Sequence, residues 1–438
     1  MNQETKIHAK VRSVPNPIPT DIFWNYRKRE PSDLNVLKAA RAAFFWLGPK
    51  RISNLSLARR AIGWIDRAPR EILTHTGKWG QATKTTYGTG LLQQMSEQWH
   101  MYRRTGFTPT DYYAACVTQY PQQLRDSLVS YSLYSGGLDF CNHNVNEKVP
   151  GNALNSKIEF HDALCTAGFN TPAIFEIVEP NQPVDASIAE RIQSSFFLKP
   201  DDLSQGAGAE RWLMDGDVFH LKSRGESLNR ADLPAYFQKV AQHFNRRLLV
   251  QELAENHAIV RAWAGPALST IRIDTVMPTG QPPRVVRAMY RVPSGIDASV
   301  DNVHGGGVGY DVETSTGQFL EGLDDKTTVP DNRHLQSPVT GSQVTGESFP
   351  RWQEACSFAE KLHATLVDCY SVGWDIALTP DGLTAIEVNV PPGLSPHNQL
   401  RIGGFLGHDL CNSLVQEITL QMPKKLPENS RFMIGADL

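Results

Sequence analysis

The sequence predicts an α+β protein with a helical region in front, and three observations predict it. Between residues 155 and 255 helical periods alternate with short apolar runs, the texture of helices laid against a sheet. Two β-rich runs, "ALSTIRIDTVMP" and "RVVRAMYRV", then follow each other closely. The third observation is "GWDIALTPDGLTAIEVN", Gly373 to Asn389, two strands and a turn that set Asp375, Glu387 and Asn389 among apolar neighbours.

Taken in order, "SDLNVLKAARAAFFWLG" opens on a Ser/Asp cap signal, carries apolar residues at helical spacing and stops at Gly48-Pro49. "NLSLARRAIGWIDRAP" repeats the pattern and is predicted to end before Pro69. Trp24, Trp46, Trp64, Trp79 and Trp99 all lie in this region. Such helices can grip a flat or lipidic ligand, but aromatic core is the commoner reason for the enrichment. Asn, Pro and Gly cluster in "HNVNEKVPGNALN", 143–155, which marks the main boundary. The chain is accordingly divided into a helical, basic region 1–150, a first lobe 151–255 and a second lobe 256–438.

Within the first lobe, helix "SKIEFHDALCTAG" leads to strand "NTPAIFEIV", helix "DASIAERIQSS" to strand "FFLKP", and helix "ADLPAYFQKVAQHFNRR" to strand "LLVQEL". Residues 322–350, rich in Gly, Ser, Thr and Pro, are predicted as a surface excursion. Helix "RWQEACSFAEKLHATLVDCY" then delivers the chain into the hairpin. There is no internal repeat or low-complexity tract.

Bulk properties exclude some classes. No apolar run approaches the roughly 18 residues a bilayer span requires, so there is no transmembrane segment to place. The first residues lack an apolar signal core. The six cysteines are scattered without a CxxC pair, as in reduced thiols rather than a disulfide framework or zinc site. A cytoplasmic location is expected. The net charge of −3 hides an asymmetry: residues 1–110 carry 18 Lys and Arg against 7 Asp and Glu, a balance of +11 that leaves −14 for the rest. A basic region of this kind can meet an anionic partner, though solvated helix faces against an acidic body are the commoner reason for it.

The hairpin carries the chemistry. A two-residue loop would pair Thr379 with Gly382, face Asp375 with Ile386 and send Glu387 to the other side. Pro-Asp-Gly instead suits a type I turn with Gly382 left-handed, which pairs Thr379 with Leu383 and sets Asp375 opposite Glu387. Asn389 shares that face, with Ile386, Val388 and Val390 pointing the other way. Opposed carboxylates with Cβ atoms about 5 Å apart repel each other and call for a positive charge between them. Two carboxylates and an amide oxygen favour Mg²⁺, which shares its remaining positions with water and substrate phosphates. An acid paired with Lys or Arg in a structural network is the other reading.

If phosphates are bound, a cradle should exist, and "FFLKPDDLSQGAGAERW" offers one. Lys199 ends a strand, and the polar loop with Ser204, Gly206 and Gly208 allows close approach of backbone N–H groups. It is not a Walker loop, since no Gly-Lys-Ser/Thr follows. Lys157 opens a helix upstream. The polar end of "LLVQELAENH", Glu252 and Leu253, can read an adenine edge through the backbone. Arg272, Arg287 and Arg291 lie in apolar strands, where an arginine must snorkel, pair or meet an anion. Asn302 and His304 enter three glycines in "DNVHGGGVGYDV". No Ser/His/Asp or Cys/His grouping stands out.

In this order the segments "LKPDDLSQGAG", "LLVQEL", "TIRIDT", "DNVHGGG", "GWDIALTPDG" and "IEVNVPPGL" resemble the ATP-grasp superfamily, nearest its glutamate-ligase-like and sugar-transfer-associated branches, over about residues 155 to 400. The resemblance implies two α+β lobes gripping ATP. Lys157 and Lys199 would hold phosphates, Gly206 and Gly208 would cover them, and Glu252 and Leu253 would meet adenine. Asp375, Glu387 and Asn389 would bind Mg²⁺. Arg272, Arg291, Asn302 and His304 would face the γ-phosphate and the acceptor.

The activity it implies is ligation of a small-molecule carboxylate to an amine through an acyl phosphate. A phosphotransferase or a non-catalytic nucleotide-binding module in glycan assembly are the alternatives, and a homo-oligomer is compatible with it. Many peptide-forming members carry a basic residue just before the first metal ligand, where this chain has Gly373-Trp374. Here Gly305 also answers an Arg found in some relatives' Asn-x-His loops. The charge that steadies an acyl phosphate then falls to Arg272, Arg287 or Arg291.

Overall fold

The computed structural model describes residues 32–47, 54–142, 156–203, 206–324 and 333–425. The boundary expected at 143–155, Trp24, Ser204 and the side chains of Trp46, Trp64 and His304 lie outside what is described. Two compact units are formed, Met1–Phe140 with Leu394–Leu438, and Cys141–Gly393. Among the described residues no helix is long and apolar enough to cross a membrane.

The first unit is helical. Helix Asn54–Tyr87 runs straight through Pro69, where the sequence predicts a stop. Pro69 is exposed, and the buried stripe of Ala68, Ile72, Thr76 and Thr83 continues past it at helical spacing. Packing of that stripe outweighs the backbone hydrogen bond the proline removes. Met101, Phe107, Tyr112, Tyr113, Leu128 and Leu400 form a core, crossed by a polar chain in which Gln98 Nε2 donates to Thr76 Oγ1 (3.0 Å) and Tyr113 OH donates to Gln94 Oε1 (2.9 Å).

The sequence groups 256–438 as one lobe, whereas the contacts place Leu394–Leu438 with the helical unit. A buried amide supplies much of the reason. Gln399 Oε1 accepts from Val129 N–H and its Nε2 donates to Val129 C=O, both at 2.8 Å.

The second unit carries two antiparallel sheets. Strands β1 (Ile174–Val178), β2 (Phe196–Pro200), β3 (Glu210–Asp215), β4 (Val218–Leu221), β5 (Glu226–Asn229) and β6 (Leu248–Glu252) build a six-stranded sheet in the order β1-β6-β2-β3-β4-β5. Strands β7 (Ile271–Val276), β8 (Arg284–Val292), β9 (Val308–Val312), β10 (Phe319–Asp324), β11 (Arg333–His334), β12 (Ser371–Thr379) and β13 (Gly382–Asn389) build a seven-stranded one in the order β11-β10-β9-β8-β7-β12-β13. This is the α+β class the sequence predicts.

Phe196, Leu198, Trp212 and Val250 of the first sheet pack on Leu233, Phe237 and Ala241 of helix Leu233–Phe244. In the second sheet Ile271, Ile273, Tyr290, Trp374 and Ile376 pack on helix Trp352–Leu366, and Phe160 and Leu164 of helix Lys157–Thr166 enter the same core. Each such side chain contributes about 2–3 kcal/mol. Because side chains alternate along a strand, the opposite face of β7, β8 and β12 receives Arg272, Asp274, Arg287, Arg291, Gly373 and Asp375. The excursion expected at 322–350 is not wholly superficial, since Val344 and Phe349 are buried in the second core.

Candidate functional site

The site is assembled from the register of β7, β8, β12 and β13. Asp375 stands opposite Glu387, as the sequence predicts, but by a different device. The turn is tight, with Thr379 paired to Gly382 rather than to Leu383. Pairing continues through Ile376↔Ala385 and then shifts by one residue, so that Asp375 meets Glu387 across a bulge. Ile386 is the extra residue. It is therefore absent from the apolar face where the sequence places it, while Ala385 and Val388 are buried in the core on either side of it. Gly382 is left-handed as expected, with φ 114°.

Two rows of side chains cross the sheet on its polar face. One reads Glu387, Asp375, Arg272, Met289 from β13 to β8, and the next reads Asn389, Gly373, Asp274, Arg287. Asp375 does not face Glu387 uncompensated. Arg272 donates to it twice, through Nε to Oδ1 and through Nη2 to Oδ2 at 3.1 Å, and Arg291 Nη2 lies 2.8 Å from the same Oδ2. The repulsion from which the sequence argues for magnesium is thus already relieved by two guanidinium groups, the paired-acid alternative of the sequence reading. Burial opposes the charge of Asp375, yet Arg272 and then Arg291 overcome it and hold the carboxyl below the usual carboxylate range. Burial likewise opposes the charge of Arg272, and Asp375 reverses the effect and raises it.

Arg291 is fixed by residues that the sequence reading does not single out. Its Nε donates to Thr270 Oγ1 at 3.1 Å, and its Nη2 lies 3.5 Å from Asp301 Oδ1. Asp301 in turn accepts from Thr270 N–H at 2.7 Å and from Thr270 Oγ1 at 2.6 Å. Arg287 pairs with Asp274 at 2.9 Å and donates to Gly393 C=O at 3.0 Å. The signal for Asp274 was present in "TIRIDT", where it sits two residues after Arg272 and hence on the same face. Asp301 directly precedes Asn302, but no local spacing announces that it would reach Thr270.

Lys157, at the start of helix Lys157–Thr166, and Lys199, on β2 of the other sheet, converge on the hairpin. Lys157 Nζ lies 3.6 Å from Glu387 Oε1 and donates to the carbonyls of Asp201 (3.1 Å) and Leu203 (2.6 Å), tying down the start of the glycine loop. Lys199, half-buried on β2, is pushed down to about 8 by desolvation, with Glu387 opposing that shift and Lys157 adding to it. Gly206 and Gly208 are both left-handed at φ 74°. A Cβ on Gly208 would come within 2.9 Å of Phe244 and Pro200, so packing alone already requires glycine there.

Glu252 is exposed at the end of β6, and its N–H donates to Ala173 C=O at 2.8 Å and is engaged there. Asn302 is half-buried, and its carbonyl accepts from Gly305 and Gly307 N–H at 2.9 and 3.1 Å, closing the turn before β9.

Among the described residues no group of three or more His, Cys, Asp and Glu converges as a metal cage. The arrangement fits a cation shared with phosphates instead. Glu387 keeps 37% of its side chain exposed, and two lysines supply the charge that phosphates need. Asp375, with both oxygens engaged, would contribute to a metal only by sharing itself with arginine.

Comparison with known proteins adds to this geometry. The family described as sugar-transfer associated ATP-grasp matches over residues 141–407. No curated protein matches the chain in sequence. Among solved structures, D-alanyl-alanine synthetase A from Vibrio cholerae O1 biovar eltor is similar at a TM-score of 0.39 and 14% identity, over 62% of this chain and 66%, just under two thirds, of that one. D-alanine–D-alanine ligase from Bacillus anthracis is similar at 0.38 and 9% identity, over 65% and 73% respectively. A RimK domain ATP-grasp protein from Sphaerobacter thermophilus is similar at 0.32 and 13%, over 60% and 67%.

Proposed function

This chain belongs to the sugar-transfer associated ATP-grasp family, and from that premise we propose that it is a Mg-ATP-dependent ligase joining a small-molecule carboxylate to an amine. The observation that supports the reading is the convergence of Lys157 and Lys199 on Glu387, at the edge of a face lined with arginine. A triphosphate is the anion that suits cations brought together from a helix start and from strands of both sheets. In this reading the first lobe, 151–255, and the second, from 256, grip the nucleotide, with Glu252 and Leu253 at the base.

Lys157 and Lys199 hold the phosphates, and the Gly206 and Gly208 turn lies over them. Glu387 and Asn389 would offer oxygens to Mg²⁺, with Asp375 beside them, and that ion would supply charge to the phosphate oxygens. Arg272 and Arg291, held in place by Asp375, Thr270 and Asp301, face the transferring phosphoryl group together with Asn302 and His304. These residues act by position and charge, and no side-chain nucleophile is required.

In the first step a carboxylate oxygen of the substrate attacks the γ-phosphorus. The new O–P bond forms as the bond to the β-phosphate oxygen breaks, and ADP leaves. In the second, the amine nitrogen attacks the acyl carbon, phosphate departs with the C–O bond, and the surplus proton on nitrogen passes to solvent. A screen of carboxylic acids with hydroxylamine as trap tests this reading. Hydroxamate with stoichiometric ADP is the expected result, while a stable phosphoester in its place would show a kinase.

A further inference from the structure

The helical unit turns large apolar side chains outward at one place. Leu92 is 82% exposed, Leu73 58%, and Leu91 and Trp99 39% each. All four belong to one helical hairpin, in which helix Asn54–Tyr87 turns back through Gly88 and Gly90 into helix Leu91–Thr105. The two helices run side by side in opposite directions, since Gln98 Nε2 donates to Thr76 Oγ1 at 3.0 Å while Gln94 Nε2 donates to Gly80 C=O at 3.1 Å.

Helical spacing sets these side chains on a common face. Positions four, seven and eleven residues apart lie in one stripe of a helix. On the second helix that stripe is Leu92, Ser96, Trp99 and Arg103, every one of them exposed. On the first it is Leu73, Gly77, Gly80 and Lys84, of which only Gly80 is buried. The stripes adjoin at Gly80, where an added Cβ would lie 2.8 Å from Leu91 Cδ2, so Leu91 covers Gly80 and bridges the helices. From Leu92 to Arg103 the face is about 16 Å long.

The charges select what covers it. Lys84 ends one stripe and Arg103 the other, and neither stripe holds an acid. Over residues 67–105 there are six Lys and Arg against two Asp and Glu. Glu97 of the second helix lies on the opposite flank, where Arg125 Nη1 pairs with it at 2.5 Å and Tyr112 OH donates to it at 2.6 Å. A second copy docked on this face would set Lys84 and Arg103 against their own like. An anionic bilayer surface suits both components, because leucine and tryptophan enter the headgroup boundary while lysine and arginine stay among the phosphates.

We propose that this face seats the helical unit on a membrane surface rich in anionic lipid, without spanning it. The surface uses no residue of the nucleotide site.

The test is co-sedimentation of the full chain, at low salt, with vesicles of phosphatidylcholine alone and of phosphatidylcholine mixed with phosphatidylglycerol. The chain should pellet with the mixed vesicles, remain in solution with the neutral ones, and be released as salt rises. Leu92→Glu, at an exposed position, should weaken binding about tenfold or more with the denaturation midpoint unchanged. Lys84→Glu should weaken it about fivefold or more. Lys78→Glu makes the same charge change on another flank of the first helix, beside Trp79, and should stay within about twofold of the parent.

Absence of binding to the mixed vesicles, equal binding to both kinds, or parent-like binding by Leu92→Glu each overturns the proposal. Equal losses from Lys78→Glu and Lys84→Glu would show diffuse charge in place of a face and overturn it too. A dimer in sedimentation equilibrium that Leu92→Glu dissolves would assign the face to a second copy and overturn it as well.

Discussion

Lys199 shows how a single residue makes a measurable pH dependence. Desolvation brings it down to about 8, and only its protonated form attracts phosphate. Nucleotide affinity should therefore hold below pH 8 and decline as pH rises through that value, after allowance for titration of the nucleotide itself. Lys199→Ala should weaken ATP and flatten this profile, and calorimetry across pH 7 to 10 reads both. Glu387 and Asp375 are expected to part company as well. Glu387→Gln, at a partly exposed position, should abolish Mg-dependent turnover and leave the denaturation midpoint almost unchanged. Asp375→Asn should abolish turnover and also destabilise the fold by roughly 3–5 kcal/mol, because two buried guanidinium groups lose their shared anion. Urea denaturation of the two variants separates these outcomes.

At the scale of the element, a bulge at Ile386 brings Asp375 opposite Glu387 in a hairpin whose turn is tight. The bulge between Asp375 and Ile376 sets the register, so the pairing beyond it does not depend on loop length. Deleting Ile386 should close the bulge into an unbroken ladder, with Ala385 still opposite Ile376 and Glu387 still opposite Asp375, so that turnover stays within a few-fold of the parent. A glycine added between Asp381 and Gly382 should be tolerated likewise. Loss of turnover from the deletion alone, read by ADP release, would show that the local twist of the bulge and not the register aims Glu387.

For the molecule as a whole, Gln399 makes two of the hydrogen bonds that join Leu394–Leu438 to the N-terminal helices. Gln399→Leu strips partners from both the N–H and C=O of Val129. Stability of the helical unit should fall by about 2–4 kcal/mol, since each group stays buried and unpaired. Chemical denaturation followed by tryptophan fluorescence measures that loss. Leu400→Met, which preserves volume in the same core, should cost under about 1.5 kcal/mol.

Much of this was legible along the chain. Strand periodicity placed β2, β6, β7, β8, β12 and β13, and alternation put Glu387 and Asn389 on one face of their strand. Arg272, Arg287 and Arg291 declared themselves as strand arginines in need of anions. Such features depend on neighbours two to four residues apart, which a sequence displays directly. It could not show that Asp375 would be neutralised by Arg272 and Arg291, nor that Asp301 would hold Arg291. A proline in helix Asn54–Tyr87 and the bulge at Ile386 also escaped it. Those outcomes were decided by packing between segments far apart in the chain, where burial of an apolar face overrides local preference and a charge is balanced by whichever partner the fold brings within reach.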